Sequence, residues 1–303
     1  GLDVLAFCDE EGVRFPTTLV SSSAVAGRLS ANVFQAADAD GVTVADALER
    51  FGCDPALAPA AAYAPGDVLG YIEIHIEQGP VLEREGLPLG VVTSIAGQSR
   101  FRVEVGGEAG HAGTVPMAMR RDALAAAAEM ILAVESVGAA GPKHELVATV
   151  GRIAAQPGAV NVIPARVSFT LDVRAATDPP RLSAVEAIRA RFREIADRRH
   201  ATLTVERYHE TPTTPCAPWL QAGLAAGVEA VGAPVRRLTS GAGHDGHAIH
   251  ALTDIGMLFV RCRGGISHNP NEYAEAADMG LAVQALVEAI VHIADRADQG
   301  DGA

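Results

Sequence analysis

Glu10 and Glu11, within Asp9-Glu10-Glu11-Gly12, have the make-up of a metal site. One carboxylate can bind a divalent cation while its neighbour relays a proton from the water that cation activates; a solvated acidic turn is the plainer alternative. His75 stands in the alternating run 69–77, LGYIEIHIE, where Ile72, Ile74 and Ile76 face one way and Tyr71, Glu73, His75 and Glu77 the other. It is either a satisfied core histidine or a ligand whose tautomer an adjacent carboxylate fixes. His268 lies in the stretch 264–272, GGISHNPNE, after a strand that ends near Arg261. That loop could coordinate metal, or it could be an ordinary turn built by Gly, Asn and Pro. His111 has small neighbours in Gly110-His111-Ala112-Gly113-Thr114, so its ring could donate to an oxyanion. Asn161 and Arg174 belong to the same segment; Arg174 suits bidentate carboxylate recognition, although arginine at a strand end is a surface residue by default.

Two other patterns carry less. Gly241-Ala242-Gly243-His244-Asp245-Gly246 matches GxGxxG, but no acid follows about 20 residues on and no long βαβ unit succeeds it, which argues against a dinucleotide site. His244, His247 and His250 recur in threes and read as helix decoration, with only His244 at the loop edge where ligands gather.

The elements that must hold these residues fall into three stretches. Residues 1–96 mix strands and helices: a strand at 2–8 carrying the acidic pair at its C-terminal end, helices near 22–29 and 43–51, the alternating strand, a helix near 79–85 and a strand at 89–95. Residues 97–211 read βαββαβ, the order of a ferredoxin-like α+β sandwich. Its strands are 101–105, 146–153, 166–173 and 202–208. Its helices are 117–137, with Leu124, Ala127, Ile131 and Val134 on one face and Gly138 as the stop, and 180–198, with Leu182, Val185, Ile188, Phe192 and Ile195 inward. From 212 the α/β rhythm returns: helices near 217–231 and 245–252, strands at 235–239 and 256–261, a long helix at 276–296 and a polar tail, 298–303, expected to fray. The predicted fold is one discontinuous α/β domain, 1–96 plus 212–303, with an α+β domain inserted at 97–211.

The chain has 303 residues, 49% of them hydrophobic and 20% charged, the profile of a folded domain rather than a disordered one. A net charge of -13 argues against nucleic acid as a partner but leaves room for a local arginine site for a small anion. No apolar run is expected to span a membrane, and no signal peptide is expected. Cys8, Cys53, Cys216 and Cys262 show no CxxC spacing, so each is expected to be a small buried hydrophobe and the protein cytoplasmic. Gly1 is followed directly by an apparent core strand, which suggests a chain that begins inside a domain.

Taken in order, FCDEEGVRF, YIEIHIEQGPVLE, GHAGTVPM with MRRDA, PGAVNVIP, LDVR, SGAGHD and FVRCRGGISHNPNE resemble the group of allantoate amidohydrolases, N-carbamoyl-L-amino-acid hydrolases and β-ureidopropionases, relatives of the aminoacylase and carboxypeptidase-like metallohydrolases. The resemblance runs from about residue 2 to 295. It implies two divalent metals, manganese or zinc, with Glu11, His75 and His268 as ligands and Glu10 as general base. Gln78 and His244 are placed with the substrate. His111, Asn161 and Arg174 would reach the partner subunit's site, His111 on the oxyanion and Arg174 on the substrate carboxylate, making the inserted segment a dimerisation lid and the protein a homodimer. The family's His-x-Asp motif and bridging Asp, upstream of DEEG, are not in this sequence, so a fragment of a longer protein is expected, inactive by itself. RCRGGISH and its context favour allantoate as substrate over N-carbamoyl-L-amino acids or ureidopropionate, and manganese over zinc. The competing reading is a non-catalytic chain that only dimerises.

Overall fold

The computed structural model describes residues 1–141 and 145–298. They form two compact units, Gly1–Ile95 with Thr214–Ala303, and Ala96–Thr213. The first unit opens with α1 (Val20–Val25), α2 (Val44–Phe51), β1 (Tyr71–Ile76), α3 (Val81–Glu85) and β2 (Leu89–Ile95). The second comprises β3 (Gly97–Gly106), β4 (Gly110–His111), α4 (Ala123–Ala139), β5 (Val147–Thr149), β6 (Ile153–Gln156), β7 (Val162–Ile163), β8 (Arg166–Ala175), α5 (Asp178–Arg199) and β9 (Thr202–Thr211). The chain then returns to the first with β10 (Thr214–Pro215), α6 (Pro218–Ala230), β11 (Arg237–Ser240), α7 (Gly246–Ile249), β12 (Ile255–Val260) and α8 (Ala276–Asp298). The fold is mixed α/β.

In the first unit the sheet order is β1-β12-β2-β10, with β11 also paired to β2. β1 and β12 are parallel, and β2 is antiparallel to β12 but parallel to β11. β12, Ile255 to Val260, is buried throughout, as a strand covered on both faces must be. Ile72 and Ile74 pack with α6 and α8, while Tyr71 packs with α7 and Leu82 of α3, so the alternation read in β1 separates an apolar face from the face that carries Glu73 and His75. α6 and α8 approach through small residues: Ala282, Ala285 and Ala289 are buried, and a Cβ on Gly227 would lie 2.2 Å from the Ala285 carbonyl oxygen.

In the second unit the sheet order is β5-β8-β3-β9, with β6 beside β8, and every pairing is antiparallel. Phe101, Val103, Val105, Val167, Phe169, Leu171 and Val173 turn inward against α4 and α5, where Met130, Ile188 and Phe192 complete the core. The opposite face of the sheet carries the polar residues. Arg181 is 2% exposed, and its charge is met by Asp178 and Glu210, with Ser99 and the Gln98 carbonyl accepting further bonds.

Several expectations are corrected. Residues 2–8 form no strand and are mostly exposed, because among the described residues no neighbouring strand offers them a hydrogen-bonding ladder. The strand expected at 146–153 is two, β5 and β6, each pairing separately with β8. In α4 the buried residues are Ala123, Ala126, Ala127, Met130, Ala133 and Val134, with Leu124 exposed; the helix is apolar nearly all round, so its pattern does not define a face. In α5 the salt-bridged Arg181 takes the inward place expected of Leu182, which is exposed. Cys216 and Cys262 are buried, but Cys8 and Cys53 are exposed. Residues 276–295 are long and apolar enough to cross a membrane by length and composition, at mean hydropathy 1.4, contrary to the sequence reading. Within the fold this helix buries its alanines on α6 and exposes Val283, Val287 and Val291. The tail at 299–303 lies outside the described residues.

Gly227→Ala tests the helix contact: forcing a methyl group onto the Ala285 carbonyl should cost about 1–3 kcal/mol, read as a lower urea midpoint of the first unit. An unchanged midpoint would show that the helices can separate at no cost.

Candidate metal centre

Three turns and one strand converge in the first unit. Glu10 and Glu11 occupy a tight turn in which the Gly12 N–H donates to the Asp9 carbonyl at 3.1 Å. Gly12 has φ +65°, and a Cβ there would stand 2.6 Å from the Thr17 carbonyl, so only glycine fits. Asp9, Gln78 and His268 also hold positive φ, near +53°, without being glycines. Such conformations persist where surrounding contacts over-determine them, and they mark functional sites more often than chance. At Gln78 the cause is visible: Glu77 accepts the Val81 and Leu82 N–H groups at 2.8 and 2.9 Å, capping α3 and drawing the chain into a tight corner.

Glu11, Gln78 and His268 meet. The His268 Nε2 lies 2.7 Å from Glu11 Oε2, and Gln78 Nε2 donates to Glu11 Oε1 at 3.0 Å and to Ser267 Oγ at 2.9 Å. Ser267 donates in turn to Glu272 at 2.9 Å. His75 belongs to a second cluster: one ligand atom each from Glu73, His75 and His244 lie within 4.8 Å of one another, a grouping able to hold a metal ion. His75 Nδ1 is 2.8 Å from the Ile76 carbonyl oxygen. A carbonyl only accepts, so Nδ1 carries the proton and Nε2 keeps its lone pair for a cation. This corrects the expectation that a flanking carboxylate sets the tautomer. Glu77 caps α3, and Glu73 accepts from the Gly246 N–H at 2.9 Å and from the Tyr71 hydroxyl at 3.2 Å.

His244 is fully buried, its ring 4.5 Å from that of His75. Its Nε2 lies 2.5 Å from Ser240 Oγ, which also accepts the Ala242 N–H. With Nε2–H as donor to Ser240, Nδ1 presents a lone pair; it has no hydrogen-bond partner among the described residues and stands 3.8 Å from Glu73 Oε1. The reading of the histidine triplet as helix decoration fails here. His244 precedes the four-residue α7, His247 contacts Thr214 Oγ1 at 2.6 Å, and His250 is exposed. Because β11 runs antiparallel to β12, its loop returns over the face of the sheet, and His244 reaches His75 from above rather than at the strand's C-terminal edge. A helix of four residues also leaves no dinucleotide site in GxGxxG.

Glu10 lies between these groups electrostatically. Burial, then the charges of Glu11, Asp245 and Glu73, raise its carboxyl to about 7. Burial also raises Glu73 to about 7, reinforced by Asp245 and opposed by the Gly246 N–H and Tyr71. His244 falls to about 3, through burial and the nearby charge of His75. Asp245 is raised by burial, and its Oδ1 has no hydrogen-bond partner among the described residues. The residues fit a divalent cation: several acids that lack a protein cation, two imidazoles with lone pairs turned inward, and an orphaned buried nitrogen, the mixed O/N donor set that zinc and manganese accept. Of the residues singled out in the sequence, Glu10, Glu11, His75, Gln78, His244 and His268 belong to this unit. The sequence reading missed Asp245 and the direct place of Glu73, although the adjacency of Asp245 to His244 was visible.

His111, Asn161 and Arg174 belong to the second unit. β4 and β7 pair His111 with Val162, and the Ala112 N–H donates to the Asn161 carbonyl at 2.9 Å, which brings the His111 and Asn161 loops together. The Gly113 N–H donates to His111 Nδ1 at 3.0 Å. Nδ1 is therefore an acceptor, and Nε2–H remains as the donor. Arg174 is held on β8 by Asp172, with Nε and Nη2 both at 2.9 Å.

The profile of Peptidase family M20/M25/M40 matches residues 1–292. The chain belongs to this family of metallohydrolases. An allantoate deiminase of Arabidopsis thaliana is 42% identical over 315 residues, covering 95% of this chain and 60% of that protein. An N-carbamoyl-L-amino-acid amidohydrolase of a Pseudomonas species is 40% identical over 292 residues, covering 96% of this chain and 70% of that one. Among solved structures, an amidase of the hydantoinase/carbamoylase family from Burkholderia multivorans superposes with a TM-score of 0.86 at 32% identity, over 94% of this chain and 68% of that one. The chain thus spans 60% of the Arabidopsis relative's length and 65% of that of a probable allantoate deiminase from rice, Oryza sativa subsp. japonica.

The raised carboxyls have a thermodynamic consequence. Between the ordinary value of 4.5 and about 7, an unfolded Glu73 has released its proton while the folded one keeps it, so its contribution to stability is lost as pH rises through that window. His244, lowered to about 3, acts in the opposite sense as pH falls below 6.5. Comparison with Glu73→Gln isolates the first effect. In chelator, the variant's urea midpoint should gain on the wild type from pH 5 to pH 8, and parallel midpoints would refute the placement of Glu73 as a buried acid.

Proposed function

We propose that the protein is a metal-dependent amidohydrolase that cleaves a linear ureido or carbamoyl C–N bond, with allantoate as substrate. The single observation that carries this reading is a pair of clusters, Glu11 with Gln78 and His268, and Glu73 with His75 and His244, whose acids Glu11 and Glu73 both act on the Glu10 carboxyl. The names of the relatives support the ureido class, with allantoate and N-carbamoyl-L-amino acids both represented. In this proposal Glu11, His75 and His268 hold two divalent ions, manganese before zinc. Bound there, such ions lower the pKa of a water and polarise a carbonyl oxygen.

The protein's own groups do the rest. Glu10, with a carboxyl near 7, is matched to accept a proton from the attacking water at neutral pH and to return it to the leaving nitrogen. Gln78 and His244 contact the ureido group. His111, with Nε2–H free to donate by virtue of its Gly113 contact, stabilises the tetrahedral oxyanion. Arg174 takes the substrate carboxylate and Asn161 a further polar group. The products are ammonia, carbon dioxide and an amine-bearing acid. The second unit, residues 97–211, serves in this reading as a ferredoxin-like lid and dimerisation domain, a role supported by its antiparallel order β5-β8-β3-β9 beneath two helices. It presents His111, Asn161 and Arg174 to the partner subunit's site in a homodimer. Residues 1–96 and 212–303 make up the catalytic domain. Four cysteines without a disulfide accord with a cytoplasmic place.

Ammonia release from allantoate and from an N-carbamoyl-L-amino acid tests the proposal, with manganese or zinc, on this chain and on the product of the gene's full reading frame. Preference for allantoate by the full product is expected. Preference for the carbamoyl amino acid would keep the mechanism and overturn the substrate; bound metal without hydrolysis of either would overturn the ureido class. The shared site is tested by mixing His111→Ala with Glu10→Ala protein, each inactive alone. Activity should return in the mixture, and none, with subunit exchange shown by mass spectrometry, would refute a site built from two subunits.

A further inference from the structure

The open face of the sheet in the second unit carries two adjacent rows of side chains, polar but for Val147. Strand register places Thr149, Asp172, Arg100 and His209 side by side across β5, β8, β3 and β9, and Val147, Arg174, Gln98 and Thr211 in the next row. Residues two apart on β8 share a face, so Asp172 and Arg174 are neighbours along the strand as well. Asp172 is the acid that both arginines use: Arg174 meets it through Nε and Nη2, and Arg100 through Nε at 2.9 Å. Burial disfavours its ionised form, but the bonds and charges of Arg174 and Arg100 outweigh that and hold the Asp172 carboxyl below its usual range. His209, bonded to Thr211 at 2.9 Å, is lowered by burial and by Arg100 and Arg174, with Asp172 opposing. The two rows therefore set the guanidiniums of Arg100 and Arg174 near an imidazole that stays neutral at neutral pH.

The donor count at Arg100 is informative. Only its Nε is engaged, and neither terminal nitrogen, Nη1 or Nη2, has a hydrogen-bond partner among the described residues, although the side chain is only 36% exposed. Anchoring through Nε orients the guanidinium plane and leaves its terminal fork, whose spacing matches the two oxygens of a carboxylate. A dianionic phosphate would meet the Asp172 carboxylate in the same row, which favours a singly charged, planar anion.

We propose that Arg100 is a second carboxylate-binding residue beside Arg174, and that Asp172 is the positioning residue that holds the two guanidiniums as a pair. The inference rests on the ureido-acid reading for the identity of the carboxylate. It adds a specificity element: substrates bearing a free carboxylate are selected over their neutral amides by two guanidiniums rather than one.

The experiment is an NMR titration of the full chain, following the His209 Cε1–H signal and the Arg100 Nε–H signal, with N-carbamoylglycine and with its amide as probes. The acid should shift both signals saturably and the amide should not. Arg100→Gln and Asp172→Asn should each weaken binding of the acid about tenfold or more, the loss of a charge-assisted contact. In the active protein the same changes should raise KM for the acid while leaving kcat within about twofold, as expected for uniform binding lost. Unshifted wild-type signals, or Arg100→Gln with wild-type affinity, would reduce Arg100 to a structural ion-pair partner and overturn the proposal. Arg100-dependent binding by a protein that hydrolyses no ureido acid would leave the carboxylate site standing and remove the functional reading. Hydrolysis whose KM depends on Arg174 but not Arg100 would do the reverse.

Discussion

A carboxylate withdrawn from water needs positive charge nearby, and the way each unit meets that requirement shapes the rest of the structure. Among the described residues of the second unit, each acid with a shifted carboxyl has an arginine against it. Asp172 lies between Arg100 and Arg174, Asp178 beside Arg181, and Glu129 beside Arg198 and Arg199, and all three carboxyls are lowered. In the first unit Glu10, Glu73 and Asp245 crowd together with each other and Glu11, and all three are raised. The shifts oppose one another for two reasons: the acids of the second unit are partly exposed and paired with arginines, while Glu73 and Asp245 of the first are more deeply enclosed and, among the described residues, have no arginine against them. A site that concentrates acids and imidazoles in this way is suited to a cation of another kind.

Such a site demands a rigid platform, and β1 supplies it. The strand is pinned on one face by Ile72 and Ile74 against the α6 and α8 layer, which leaves Glu73 and His75 with a fixed direction on the other. Close approach of α6 and α8 at Gly227 and Ala285 makes that layer thin and stiff. The loops then add their residues from fixed corners: Gln78 from the turn capped by Glu77, His268 from its positive-φ turn, and Glu10 and Glu11 from the turn closed by Gly12. Backbone strain at Asp9, Gln78 and His268 is offset by packing elsewhere in the same unit.

The candidate acids and imidazoles could be singled out because residue type is local, and most helices and strands were legible because the two differ in hydrophobic period. The errors share a cause. The run at 2–8 has the composition of a strand, but a strand exists only with a neighbour to bond. α4 is apolar nearly all round, so only the sheet beneath it decides which alanines turn inward. Leu182 was expected inward, yet Asp178, Glu210, Ser99 and a carbonyl make burial of Arg181 tolerable in that place. His244 was placed with the substrate but not beside His75, because nothing local reveals that β11 runs against β12 and brings its loop to that ring.

The sequence by itself determined the chemical inventory and the alternation of β1, since residue type and a period of two are local properties of the chain. Only the tertiary structure decided which acids stand together, which imidazole nitrogens carry protons, and that Asp172 couples Arg100 to Arg174. Those depend on strand register and on loops returning across a sheet, contacts between residues as far apart as Glu73 and Gly246, or Gln78 and Ser267. Their energies are set by the shared low-dielectric surroundings that folding creates, and no stretch of sequence contains those surroundings alone.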